Sequence, residues 1–222
     1  MCANYVPVTD PQRLRDHFGV AAAGPVPGET WPGYAAPFVR RTRTARGSER
    51  EAAIGLFGLV PFWSKDPTIG RRTYNARAET VADKPSFRDA WRQGRRAIVP
   101  AEAIFEPCWE SGRAVRWRIA RGDGAPMGLA GLWGAWRSPD GAELLSFTML
   151  TVNADGHELM RRFHAPDDEK RMVVVLDEAD YDAWLDASPQ RMRELLRRWP
   201  ADALAAEPAP RPPRAPGARR GG

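Results

Sequence analysis

Residues 96–153, RAIVPAEAIFEPCWESGRAVRWRIARGDGAPMGLAGLWGAWRSPDGAELLSFTMLTVN, hold strand-like runs in succession with no helix between them. Strands are expected at 96–99, 102–109, 114–120, 127–136 and 144–152. Working upstream, 38–43 and 52–60 read as two more strands. Residues 20–37 are rich in Gly and Pro and read as loop, as do 64–73 (SKDPTIGRRT). Asp10-Pro11 opens a short helix to about Phe18, with Asp as N-cap and Pro in the first turn. Asp83–Gln93 looks helical, with Phe87 and Trp91 on one face and Gly94 as its stop. Downstream, a helix is expected over 155–162, a strand over 172–176, and helices over 178–186 and 189–199. Strands in series with helices gathered late indicate an α+β fold rather than a doubly wound sheet. The expected architecture is a curved, partly closed antiparallel β-sheet with peripheral helices.

The 222 residues suit one domain, placed at 1–204, followed by a disordered Pro/Arg-rich tail at 205–222. With 43% hydrophobic and 27% charged residues the chain is not an intrinsically disordered one. No run approaches the roughly 18 apolar residues of a membrane span, and the N-terminal segment lacks a signal-peptide pattern. These readings predict a cytoplasmic protein without a membrane partner. The formal net charge is +5, and the tail supplies +3 of it through Arg211, Arg214, Arg219 and Arg220 against Glu207. Composition therefore leans only mildly toward nucleic acid. Cys2 and Cys108 are too few for a disulfide framework. His17, His157 and His164 are too scattered for a zinc site, so no metal or other cofactor is expected. Neither GxGxxG nor GxxxxGK[ST] occurs.

The chemistry concentrates at position 2. Removal of Met1 would leave Cys2 with an α-amine and a thiol two carbons apart. Such a 1,2-aminothiol condenses with an aldehyde to an imine, and the thiol then closes a thiazolidine ring. An α-amine has a pKa of about 7.7–8.0, so a useful fraction is neutral and nucleophilic near pH 7. A thiol near 8.5 needs only modest help to ionise. Position alone nevertheless favours an incidental small residue.

Three further segments shift that balance: Tyr74-Asn75-Ala76-Arg77-Ala78-Glu79-Thr80; Ile98-Val99-Pro100-Ala101-Glu102-Ala103-Ile104-Phe105-Glu106-Pro107; and Phe163-His164, with Arg171-Met172-Val173-Val174-Val175-Leu176 after a loop. With Met1-Cys2 they resemble the SRAP family (SOS-response-associated peptidase, the abasic-site-processing proteins), over nearly the whole chain to about Leu185. Gly58-Leu59-Val60-Pro61-x-Trp63 resembles the family's Gly-x-x-Pro-x-Trp element, and Thr151-Val152-Asn153-Ala154 its Thr-rich strand end.

The resemblance implies a monomeric sensor of abasic sites in single-stranded DNA, nucleoid-associated when bound. Cys2, exposed by autoproteolytic removal of Met1, would form a thiazolidine DNA–protein crosslink, and AP-lyase activity is a further implication. In this reading Asn75 holds the Cys2 amine and the adduct. Glu106 moves protons and assists Met1 removal. His164 protonates the sugar oxygen or stabilises the imine, with a pKa near physiological pH. Arg77 contacts phosphate, Trp63 wedges beside the lesion, and Arg71, Arg72 and Thr151 complete the DNA-facing set. Two alternatives stay open: an N-terminal-nucleophile or thiol hydrolase acting on peptides or amides through Cys2 and His164, and a non-catalytic nucleic-acid-binding module. The chain departs from the family's Met-Cys-Gly-Arg start with Ala3 and Asn4, losing a basic residue. It also stretches His-x-Arg-Met-Pro by inserting residues 165–170, three of them acidic.

Overall fold

The computed structural model describes residues 2–44 and 47–211. Five strands close a barrel: β2 (Ala35–Thr44), β3 (Gly47–Phe57), β8 (Glu143–Asn153), β7 (Met127–Arg137) and β5 (Arg96–Cys108). The β5–β7 pairing, from Arg96 opposite Leu132 to Ala101 opposite Met127, shuts the ring. Most neighbours are antiparallel, but β3 runs parallel to β8, with Leu56 opposite Ser146. Short strand β4 (Asn75–Arg77) also lies parallel to β8, with Arg77 opposite Thr151. β1 (Tyr5–Pro7), β6 (Val115–Arg121), β9 (Arg171–Val173), β10 (Val175–Leu176) and β11 (Leu204–Pro208) extend the sheet from the barrel.

The barrel interior is aromatic. Phe57 stacks on Phe147 at 5.4 Å, Tyr5 meets Phe57 edge-on at 5.3 Å, and Phe38 leans on Phe147 at 5.5 Å. All four rings are fully buried, so the closed sheet is filled with side chains.

β5 organises the site. The expected break at Pro100 is absent, and one 13-residue strand runs through. Its first half pairs with β7 inside the barrel, and its last five residues pair with β6, Ile104 opposite Ile119 and Cys108 opposite Val115. The missing N–H of Pro100 falls where partners are about to change, and its carbonyl accepts from the Val8 amide.

Helix α1 (Pro11–Phe18) has the expected Asp10 cap, which accepts from the Gln12 amide, and a left-handed Gly19 stop. α3 (Tyr181–Asp186) docks on β5 through Trp184 Nε1 donating to the Ala97 carbonyl at 2.9 Å. Other helices are shorter than expected. The 83–93 helix contracts to α2 (Arg88–Arg92), because Pro85 confines the preceding residues to turns. The 189–199 helix contracts to α4 (Pro189–Leu195). The helix expected over 155–162 is a single 3-10 turn, Met160–Arg162: Gly156 is left-handed, and His157 Nδ1 accepts the Met160 amide proton, which a helix would use internally. Beyond the expected domain end at 204, β11 pairs along β6 from Leu204 opposite Arg121 to Pro208 opposite Trp117, and the described chain runs to Arg211. Residues 212–222 of the expected disordered tail lie outside the described residues, as does Met1.

Candidate active site

Three segments far apart in sequence converge beside the last turns of β5. The first is the N-terminal arm. β1 pairs with β5 through Tyr5 opposite Ile104, and the Phe105 amide donates to the Asn4 carbonyl at 3.0 Å. This zipper carries Cys2 inward until it is 1% exposed. Its thiol donates to the Asn4 carbonyl at 3.5 Å.

The second segment is β4, whose parallel pairing with β8 sets Asn75 opposite Met149. Asn75 Nδ2 donates to the Cys2 carbonyl at 2.7 Å. Its Oδ1 is buried with no hydrogen-bond partner among the described residues, leaving an acceptor aimed into the site.

The third is the turn after Arg162. His164 is held at φ +68°, a conformation unusual for a side-chain-bearing residue. Its amide donates to the Pro107 carbonyl at 2.9 Å, and Phe163 bridges to Cys108. These interactions place His164 Nε2 3.5 Å from Glu106 Oε2.

Burial dominates the electrostatics. Glu106 and His164 are 2% and 6% exposed. Burial pushes the Glu106 carboxyl from its ordinary 4.5 up to about 7 and His164 from 6.5 down to about 4. The expectation that His164 titrates near physiological pH is therefore corrected: it is neutral at pH 7, and Glu106 is the group poised to exchange a proton there. Burial, reinforced by the charge of Glu106, pushes the Cys2 thiol up to about 12. Ionisation of Cys2 thus needs more than the modest help expected, and its proton must pass to a neighbouring base. Tyr74, half-buried, is raised by burial and by the charges of Cys2 and Glu106.

A family model described as "SOS response associated peptidase (SRAP)" matches residues 1–211. The chain belongs to the SRAP family. It is 32% identical over 166 residues to the abasic site processing protein YoqW of Bacillus subtilis, covering 72% of this chain and 70% of that protein. It is 25% identical over 179 residues to the abasic site processing protein HMCES of Xenopus tropicalis, spanning 51% of that longer protein. A solved structure from Bordetella bronchiseptica is 40% identical, covers 94% of this chain and 99% of its own, and superposes with a TM-score of 0.87.

Within this SRAP fold the remaining site residues separate into two groups. Trp63 is 48% exposed beside Phe62 at 67%, with Nε1 donating to the Pro85 carbonyl at 3.4 Å. Arg71 and Arg72 close the exposed 3-10 turn Pro67–Arg72 and make no ion pair among the described residues. Arg77 is half-exposed but bound to Glu169 at 2.8 Å. Thr151 is different: it is 1% exposed, and its hydroxyl is committed to the Ala76 carbonyl at 3.4 Å and to Arg171 Nη2 at 3.1 Å. It ties β4 to β8 and is buried, unlike the exposed Trp63, Arg71, Arg72 and Arg77.

Two arginines lie outside the residue set read from the sequence. Arg171 is buried and bonds Glu79, Glu169 and the Thr151 carbonyl, fixing the motif strand β4 against the insertion. Arg116, on β6, donates to Asn4 Oδ1 at 2.7 Å and to both Glu29 oxygens, with its guanidinium 3.3 Å above the Phe105 ring. The cation missing at position 4 is thus present one strand away. Asn4 in place of the basic residue of the family's Met-Cys-Gly-Arg start was the available signal, but nothing in the sequence pairs it with Arg116.

Proposed function

We propose that this SRAP protein captures abasic sites in single-stranded DNA by forming a thiazolidine crosslink through Cys2. The observation that carries the reading is the buried Cys2 held by Asn75 and electrically coupled to Glu106, which in turn faces His164. The curated relatives YoqW and HMCES, both named as abasic site processing proteins, support it.

The chemistry starts with hydrolysis of the Met1–Cys2 peptide bond, which consumes one water and yields the Cys2 α-amine; Glu106 supplies the proton transfers. The amine adds to the aldehyde carbon of the ring-opened sugar, and loss of water gives the imine. Asn75 Oδ1 accepts a hydrogen from the reacting nitrogen. The Cys2 sulfur then adds to the imine carbon while its proton passes through Glu106 to nitrogen, closing the ring. A carboxyl near 7 serves in both directions, as acid for water departure and base for the thiol. Neutral His164, its Nε2 3.5 Å from Glu106 Oε2, faces Glu106 and limits its orientation. The imine is also the branch point for strand cleavage by β-elimination, the AP-lyase outcome, and ring closure diverts it. A thiol hydrolase fits less well: the Cys2 thiol, held near 12, donates to the Asn4 carbonyl while neutral His164 faces Glu106, so no thiolate–imidazolium pair is set up.

The test uses single-stranded DNA carrying uracil, treated with uracil glycosylase and mixed with the protein. A heat-stable shifted band on a denaturing gel is expected, with the DNA remnant on Cys2 by mass spectrometry. Cys2→Ala abolishes it. A Cys2→Ala protein that crosslinks as well as wild type overturns the reading.

A further inference from the structure

A second feature adjoins Cys2, and apart from Glu106 its lining plays no part in the chemistry above. A cleft of about 700 Å³ opens between the β5–β6 hairpin and the segment after β11, and Ala3, Asn4 and Glu106 form its inner end. Its volume falls in the range of small-molecule sites. Its walls are Trp31, Phe105, Arg113, Arg116 and Arg211.

Flat faces and guanidinium groups alternate here. Arg116 lies on Phe105 at 3.3 Å and Arg211 on Trp31 at 4.1 Å. Arg113 is exposed and has no acidic partner among the described residues. Glu29 is the acid on Arg116, Glu106 lies in the lining, and Arg211 has no acidic partner among the described residues, so the three cations outnumber the two acids. The Ala209 amide donates to the Arg116 carbonyl at 2.9 Å, and Arg116 Nη1 donates to the Ala209 carbonyl at 3.3 Å, so the chain after β11 is fixed as a wall. Stacking surfaces interleaved with phosphate-binding cations suit one nucleotide of a single strand. Trp63, Arg71, Arg72 and Arg77 come from other elements, the loop after β3 and β4.

We infer that this cleft is a nucleotide subsite, taking the residue next to the lesion with its base against the Trp31–Arg211 wall and its phosphate on Arg113 and Arg116. The inference rests on the proposed function above and names a specificity element of that same site.

The experiment compares crosslinking rates at subsaturating DNA for an internal abasic site and for sites at either end of the oligonucleotide, which lack the neighbour on one side. Trp31→Ala should slow the internal site about tenfold, the scale of one base stack removed, and leave unchanged the terminal substrate that lacks the cleft-bound neighbour. Arg113→Ala should flatten the salt dependence of binding by about 0.7 in log–log slope, the loss of one phosphate contact. Equal wild-type and variant rates on every substrate, or equal losses on all three, overturn the subsite. If the wild type crosslinks nothing, the proposed function falls separately. The subsite is then judged by non-covalent binding of DNA bearing a tetrahydrofuran abasic analogue: weaker binding by Trp31→Ala supports it, and unchanged binding overturns it. Unchanged thermal unfolding of the variants separates a weakened subsite from a damaged fold.

Discussion

Glu106 and His164 pull the pH dependence of stability in opposite directions. Glu106 has a raised native pKa, so its contribution is present below its ordinary 4.5 and is lost as pH rises to about 7. His164 has a lowered native pKa, so its contribution is present above 6.5 and is lost as pH falls to about 4. Between 4.5 and 6.5 the two slopes offset each other. Urea titrations should therefore show Glu106→Gln gaining stability as pH rises from 4 to 6.5, and His164→Gln losing it from 4.5 to 7; matching slopes in both variants would refute the opposed pair. The same burial predicts an inflection near pH 7 in the wild-type crosslinking rate that Glu106→Gln lacks, measured by quenched gel time courses. Much of this cluster was legible in the sequence, because Cys2, Asn75 and His164 belong to local motifs. The protonation states were not, since they depend on how deeply a strand residue such as Glu106 is covered by segments from elsewhere in the chain.

At the scale of elements, the loop from β3 to β4 hangs on one glycine. Gly58 has φ +124°, and a Cβ there would lie 2.0 Å from the Gly70 carbonyl oxygen, while its amide donates to Phe147 at 2.8 Å. Gly58→Ala combines backbone strain with a main-chain clash, so destabilisation of about 3 kcal/mol or more is expected by denaturant unfolding. Trp63, Arg71 and Arg72 ride on that loop, and a folded variant should bind DNA less tightly. The 165–170 insertion acts through Glu169, which holds Arg77 and Arg171 at 2.8 and 2.7 Å. In the proposed DNA complex a phosphate reaching Arg77 would have to displace that carboxylate. Glu169→Gln should therefore bind single-stranded DNA several-fold tighter at low salt by fluorescence anisotropy, the advantage shrinking as salt rises. That the insertion carries three acids is plain in the sequence; that one of them sits on Arg77 required the turn of chain that returns residue 169 to β4.

For the molecule as a whole, the barrel is packed around Phe57 and Phe147. Phe147→Ala should cost about 3–5 kcal/mol in denaturant unfolding, leaving little of the stability typical of a domain this size. The strand count was not readable in the sequence, since the expected 96–99 and 102–109 are one strand, β5, and β1, β4 and β11 were not among the expected strands, but the fold class was readable from the alternating runs of 96–153. Ring closure was not, because β5 with β7 and β3 with β8 are long-range pairings that no local pattern encodes. The cleft was hidden for the same reason: Trp31, Phe105, Arg116 and Arg211 belong to four separate stretches. β5 has one half locked in the ring and the other, carrying Glu106, projecting into the hairpin with β6. Residues 109–114 join that hairpin at its tip and take no part in ring closure. Lengthening or grafting that connector should alter which DNA contexts are accepted while the melting temperature stays put, making it the natural place to re-engineer selectivity.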